Sequence, residues 1–435
     1  MPSLDRRNFL SAVTAGAVSA GAGFKGSPPS RIPGPNDRVI LGVIGIGRQG
    51  SSDLRAFLKQ TDVTVAALCD VYEPNLEAAA KLVPTASKVR DARRIFDNKD
   101  IDAVLVASPD NWHPLHTVMA CRAGKDVYVE KPVSVTIAEG RKMVEAARKY
   151  NRVVQVGTQQ HSGAHFKRAI EIIHSGVLGK IGLVRAWHYS NETPEGIGAP
   201  ADSEPPAGLD WDMWLGPAPR VPFNSNRFGV APNRWSTFRY FWDYAGGVMT
   251  DMGVHAFDII QWAMKAEAPL AVSASGGKFA LTDNRETPDL LQVTFEYPGF
   301  VCVYENRLIN RLPLNTRAAG ICFHGVNATL TVSPSGYEVV TEGRQALPGA
   351  GSEASSGDQL AAHVRNFVDC VKSRGFPVTD IEIGHRASSA CHLGNIAYRS
   401  GAKIHWDAKK ERITDDRKAA RYLSRPYRKP WKLEV

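Results

Sequence analysis

What the sequence lacks narrows its chemistry first. Six cysteines are scattered through 435 residues, Cys69, Cys121, Cys302, Cys322, Cys370 and Cys391, with no C-x-x-C pair. Most lie inside apolar runs, so buried free thiols are expected, and neither a disulfide framework nor a structural zinc site is. Acidic residues are outnumbered, 44 against 53 Lys and Arg, for a net charge of +9. That surplus is concentrated: from Lys409 to Lys432 there are ten Lys/Arg and three Asp/Glu, a balance of +7. Prolines and aromatics are mixed into its end, "SRPYRKPWKLEV", so a basic tail packed on the surface is expected, with no nucleic-acid partner.

A chain of 435 residues exceeds the ~250–300 at which a single core stops growing, so two domains are expected. With 43% hydrophobic and 22% charged residues, the composition is that of a soluble globular protein. The first apolar stretch is "DRRNFLSAVTAGAVSAGAG", an arginine pair followed by Phe9, Leu10 and small residues. It is too short and too poor in Leu and Ile for a membrane span. It resembles a bacterial twin-arginine signal, with an Ala-x-Ala site at 20–22. That implies recognition by the twin-arginine export machinery and a periplasmic location, with residues 1–37 as signal and Pro/Gly linker.

From residue 38 to about 158 the chain alternates strand and helix. "RVILGVIGIGRQG" runs a buried strand into Gly45, Ile46, Gly47, Arg48, Gln49 and Gly50, and "SSDLRAFLKQ" continues with helical spacing. Gly45 allows the tight turn, Gly47 a close approach of backbone to a pyrophosphate, and Gly50 close helix packing. The helix N-terminus offers free N–H groups to the anion. A second strand, "VTVAALCD", ends in Asp70, where a carboxylate would accept from a ribose diol and repel a 2′-phosphate, favouring NAD over NADP. Further strands "IDAVLVASP", "DVYVE" and "RVVQVGTQQ" complete a parallel, doubly wound Rossmann sheet with its ligand at the carboxyl ends. Those ends carry Ser108, Pro109, Asn111 and His113, then Glu130 and Lys131, then Gln159, all expected to converge on the cofactor.

Beyond residue 159 an α+β domain with an open, largely antiparallel sheet is expected, from strand-like runs "LLQVTFEYPG", "FVCVYENRL" and "AGICFHGVNATLTVSP". The segment 191–242 reads as a long ordered loop holding Trp211, Trp214, Trp235 and Trp242. Flat aromatic faces there suit either a sugar ring or the anchoring of the loop to the core. In "GGVMTDMGVHAFDII", Asp251, His255 and Asp258 recur at i, i+4 and i+7 and share one helix face. That face is either solvated or lines a site. A metal is the lesser alternative, because no second histidine stands at ligand spacing.

The glycine turn at 45–50, the Ser108-Pro109 loop, Glu130-Lys131-Pro132 and the Asp251-x-x-x-His255 helix together resemble the Gfo/Idh/MocA family of NAD(P)-dependent oxidoreductases. The resemblance implies that Lys131, Asp251 and His255 form the catalytic group, that Asp258 has a structural hydrogen bond, and that the chain is a homo-oligomer. Oxidising a secondary alcohol needs a base near the hydroxyl and a cation for the developing alkoxide. His255 suits the first role and Lys131 the second, and either can take the proton. Three functions follow: an exported oxidoreductase passing hydride between bound NAD and a sugar, glycoside or polyol hydroxyl; a glycosidase acting by transient oxidation; or a non-catalytic sugar-binding protein.

Overall fold

The computed structural model describes residues 33–34, 36–229, 236–314, 316–343, 347 and 350–435. The arginine pair and its apolar run lie outside the described residues, as does Trp235.

Six strands, β1 (Val39–Ile44), β2 (Val63–Cys69), β3 (Ser87–Val89), β4 (Ala103–Val106), β5 (Asp126–Val129) and β6 (Val154–Val156), form a sheet in the order β3-β2-β1-β4-β5-β6. All pairs are parallel. Every residue of β4, β5 and β6 is buried, as continuous Val-rich runs demand when helices cover both faces. The strand order reverses between β1 and β4. Gly45 and Ser108, which follow those two strands, therefore flank the point where such sheets bind ligands.

Ten more strands form the second sheet: β7 (Ile181–Tyr189), β8 (Ala271–Gly277), β9 (Leu290–Tyr297), β10 (Phe300–Arg307), β11 (Ala319–Gly325), β12 (Ala328–Ser333), β13 (Gly336–Thr341), β14 (Gly351–Ala354), β15 (Ile404–Asp407) and β16 (Arg412–Ile413). Their order is β14-β13-β12-β11-β7-β10-β9-β8-β15-β16. Only β7 and β10 pair in parallel, so the sheet is largely antiparallel, as expected. Helices Ala164–His174, Gly253–Met264 and Ile381–Ser400 cover one face, and Phe166, Phe257, Phe295 and Phe323 meet in the largest core. Among the described residues no helix is long and apolar enough to cross a membrane.

The polypeptide does not divide cleanly at 158. Helix Gln359–Ser373 packs Val364, Phe367, Val368 and Val371 into the core of the first sheet, with Phe367 edge-on to Phe57 at 6.1 Å and to Tyr128 at 5.8 Å. Periodicity announces that a helix has an apolar stripe; it does not say which core receives it. The basic tail packs on the surface, as expected: no residue after Ala419 is fully buried, and Leu433 and Val435 rest partly buried against the first domain's core.

Candidate active site

The glycine turn is shaped by contacts that leave no room for side chains. Gly45 has φ +81°, and a Cβ there would come within 2.4 Å of the Ser108 amide nitrogen. At Gly50 a Cβ would lie 2.0 Å from the Gly45 carbonyl oxygen. At Gly47 the same test meets no protein atom within 4 Å. Helix Arg48–Leu58 starts here with no side chain capping it and no acidic residue in its first turn, so its leading N–H groups and positive dipole end are available to an anion. Asp70 closes the arrangement: Ile46 N donates to its Oδ2 at 2.7 Å and Tyr72 N to its Oδ1 at 2.9 Å. A dinucleotide fits this set: the helix start beside Gly47 would hold its pyrophosphate and Asp70 its ribose diol.

One cleft connects Gly45, Gly47, Arg48, Gln49 and Asp70 with Ser108, Pro109, His113, Glu130 and Lys131, and it encloses about 1280 Å³ including its open mouth. Four of the expected residues are not on its wall, among them Gly50, which packs against the Gly45 carbonyl. Ile46 turns its side chain into the core. Asn111 is buried and donates through Nδ2 to the Leu215 carbonyl at 3.0 Å, so it joins the two domains instead of facing the cofactor side. Gln159 opens the short 3-10 helix Gln159–Ser162. Sequence spacing put Asn111 and Gln159 at strand ends without fixing their side-chain directions. His113 does line the cleft, with Nδ1 2.7 Å from the Pro132 oxygen and Nε2 2.7 Å from the Ser108 oxygen. It ties the two strand-end loops together, while burial holds its pKa down to about 4.

Asp251, His255 and Asp258 are all buried, at 3%, 7% and 1% exposure, which excludes a solvated stripe. They are split between helices Gly247–Asp251 and Gly253–Met264, which meet at Met252. Lys131 Nζ donates to Asp251 Oδ1 at 2.6 Å and to the Asp251 carbonyl at 2.8 Å. This bond crosses from the end of β5 to the second domain. Arg239 Nε stands 3.0 Å from the same Oδ1, so Asp251 is shared by two cations. Asp258 instead pairs with His161, whose Nδ1 is 3.0 Å from Oδ2, the structural bond expected of it. Burial, reinforced by Lys131 and opposed by Asp251, lowers the His255 pKa to about 3. Its Nδ1 has no hydrogen-bond partner among the described residues, and the ring lines neither the cleft nor the neighbouring pocket.

That second pocket, about 660 Å³, is lined by His188, Ser190, Glu192, Tyr240, Asp251 and Arg239. Arg239 also lines the first cleft, so the two cavities meet around the Lys131–Asp251 pair. Sequence reading missed His188, Arg239 and Asp110. Burial raises the Asp110 carboxyl to about 7, against the pull of Arg239. It also missed Asp53, a buried carboxyl raised well above its usual range first by burial and then by Glu130. Burial raises Glu130 as well, to about 7. Asp53 and His188 each sit alone in the sequence, so no spacing marked them; Asp110 lies between Pro109 and Asn111, both of which were chosen instead. Among the tryptophans of 191–242, Trp214 lines the cleft, while Trp211 stacks on it at 4.8 Å. The aromatics there build a local core with Phe223, Phe228 and Tyr244, which favours the anchoring role. Among the described residues no cluster of His, Cys, Asp and Glu could hold a metal ion.

Comparison with known proteins agrees with this architecture. Residues 39–158 match the oxidoreductase-family NAD-binding Rossmann fold of GFO_IDH_MocA, and residues 184–285 and 327–433 match that family's C-terminal alpha/beta domain. The chain belongs to the Gfo/Idh/MocA oxidoreductase family. An inositol 2-dehydrogenase of Salmonella paratyphi B is 32% identical over 155 residues, covering 35% of this chain and 46% of that protein. A glycosyl hydrolase family 109 protein of Shewanella is 24% identical over 206 residues, covering 42% and 45%. The chain thus spans about half the length of the curated relatives it matches. The WlbA dehydrogenase of Bordetella pertussis, solved with NADH and UDP-GlcNAcA, shares the fold at a TM-score of 0.64 and 18% identity, over 85% of this chain and 99% of that one.

Proposed function

We propose that this protein is a nicotinamide-dependent oxidoreductase acting on a secondary hydroxyl of a sugar, glycoside or polyol, with NAD as its dinucleotide. One observation carries the reading: Lys131 is anchored by Asp251 at the seam between the glycine-turn cleft and the polar pocket over β7. A nicotinamide bound there supplies a hydride acceptor. The chain's own groups supply the rest. Paired with Asp251, the Lys131 ammonium donates to the substrate oxygen and stabilises charge as the hydroxyl proton departs. His255 is neutral at physiological pH, but burial lowers its pKa to about 3 and its ring lines neither cavity, so the base role given to it rests on the Asp251-x-x-x-His255 motif and not on its position. Asp251, held between Lys131 and Arg239, fixes the lysine's direction. Asp70 supports NAD over NADP, as does Arg93, whose guanidinium is already engaged by Asp91 at 2.5 Å and is less available to a 2′-phosphate.

The arginine pair near the N-terminus supports export, and an exported enzyme works where no nicotinamide pool exists. We therefore propose that NAD stays bound and is recycled in place, by a second carbonyl substrate or by hydride return to the first. The similarity to a glycosyl hydrolase family 109 protein favours one second reading, transient oxidation followed by aglycone elimination. Keeping Glu130-Lys131-Pro132 weighs towards simple oxidoreduction. The test is mass spectrometry of dinucleotide released from freshly purified protein, followed by single-turnover absorbance with a panel of sugars, glycosides and polyols. Retained NAD, reduced by one substrate without added cofactor, is the expected result; release of an aglycone would select the second reading. Protein that dialyses free of dinucleotide yet turns over rapidly with added NAD would end the recycling proposal, and mature protein found only in the cytoplasm would end the export proposal.

A further inference from the structure

The C-terminal tail enters the cleft. Trp431 lines it together with Arg90, Arg93, Phe96 and His116, residues that follow β3 or belong to helix His113–Arg122. Strand order puts β2 and β3 on one side of the switch point and β5 on the other. Asp70 and Trp431 therefore share the half in which an adenosine would lie, and Lys131 belongs to the opposite half.

Before Trp431 the tail is fastened across both domains. Arg425 Nε pairs with Glu139 Oε1 at 2.7 Å and its Nη1 donates to the Asp243 carbonyl at 2.7 Å. Arg428 Nη1 reaches Asp212 Oδ1 at 2.6 Å, its Nε the Gly216 carbonyl at 2.9 Å, and its backbone N–H the Pro217 carbonyl at 3.0 Å. After Trp431 the tail returns to the first domain, with Leu433 and Val435 on its core. The indole itself meets Trp112 edge-on at 4.7 Å and lies 5.9 Å from the Arg93 guanidinium. An indole beside a guanidinium gives a purine both an apolar wall and a cation.

We infer that Trp431 forms the wall of the adenosine half of the dinucleotide site, and that residues 424–435 are a strap whose grip sets how fast the dinucleotide leaves. This rests on the nicotinamide reading above and extends it: a cofactor kept through export and turnover needs a slow exit, and here the exit is latched by residues 424–435. Residues 424–435 thus hold to both domains, Arg425 to Glu139 of the first and Arg428 to Asp212 of the second.

The test is to load full-length protein with NADH, chase with excess NAD⁺ and follow loss of nicotinamide fluorescence. Trp431→Ala should release NADH faster by about tenfold, the loss expected of one aromatic contact, and a chain ending at Leu423 should release it at least as fast. Lys180→Ala, an exposed side chain outside residues 424–435, should release at the wild-type rate. If the shortened chain does not fold, Trp431→Ala decides. Equal rates for wild type and Trp431→Ala overturn the strap, as does Lys180→Ala matching Trp431→Ala. A wild-type protein that holds no NADH overturns the nicotinamide reading and the strap with it.

Discussion

At the glycine turn the cleft is made of backbone from one continuous stretch, Ile44 to Gln49, with Ser108 pressed against it. At Lys131 it is made of charged side chains from three separate segments, Asp110, Glu130 with Lys131, and Arg239, with Asp251 of the neighbouring pocket paired to Lys131 and Arg239. Geometry alone governs the first end, because a Cβ either fits or collides. Electrostatics governs the second, because each group's ionisation depends on neighbours brought from elsewhere. The two ends should therefore fail differently, the first by losing the dinucleotide and the second by losing the chemistry.

The sharpest separation is Lys131→Met. It removes the ammonium at the substrate oxygen but leaves Asp251 paired with Arg239, so the fold keeps a cation for that carboxylate. Single-turnover hydride transfer should fall about 10²- to 10⁴-fold, while fluorescence titration shows NADH still bound. Comparable losses of binding and chemistry would break the distinction between the ends.

Gly50 and Gly47 test the other end. A side chain at Gly50 must push the Gly45 carbonyl away, which opens the turn that presents the helix N-terminus. Gly50→Val should weaken dinucleotide binding about 10²-fold, equivalent to one or two lost charge-assisted hydrogen bonds, and lower the melting temperature. Gly47→Ala meets no protein atom, so it should weaken binding with the melting temperature unchanged. A Gly47→Ala protein that unfolds early would mean that this glycine serves the fold. A gentler change at the same end is Asp70→Ala, which should narrow the ratio of NAD to NADP affinity by about tenfold. Tighter NADP than NAD binding in the unmodified protein would contradict the role given to this carboxylate.

The same contrast explains what was legible in the sequence. A glycine turn is local: six consecutive residues, a strand before and a helix after carry the whole signal, and Asp70 follows at the end of the next strand. Lys131, Asp251 and Asp258 were legible through motif and helical spacing, although the break at Met252 was not. Arg239 was not, because its importance comes from lying 3.0 Å from Asp251, a contact that no periodicity encodes. His188 stands on a strand whose neighbours β10 and β11 are remote in sequence. The apolar stripe of helix Gln359–Ser373 does not say that the first sheet's core receives it, and the basic tail was legible as a surface segment, but the contacts of Leu433 and Val435 were not. In each case local pattern named the element, and long-range packing chose its partner.

A change of pH separates the charged end into its acids and its histidines. Asp110 ionises near 3.9 when unfolded and near 7 when folded, because burial disfavours its anion. Between those values the folded protein holds a proton that the unfolded chain has lost. Stability from this group is therefore full below about 4 and declines as pH rises towards about 7. His255 behaves oppositely. Its unfolded pKa is near 6.5 and its folded value about 3, so between them the unfolded chain holds the extra proton. Stability is full above about 6.5 and falls as pH drops towards 3. Asp110→Asn should flatten the decline between pH 4 and 7, and His255→Gln should flatten the loss below pH 6.5. Each change should amount to roughly 4 kcal/mol over its full window, already net of the opposing charges on Arg239 and Asp251. Urea titrations of both variants at pH 4, 5.5 and 7 measure it. Parallel stability-versus-pH curves for wild type and Asp110→Asn would mean that Asp110 is already ionised in the fold, and would make the Lys131 end more strongly anionic than the burial of its carboxyls implies.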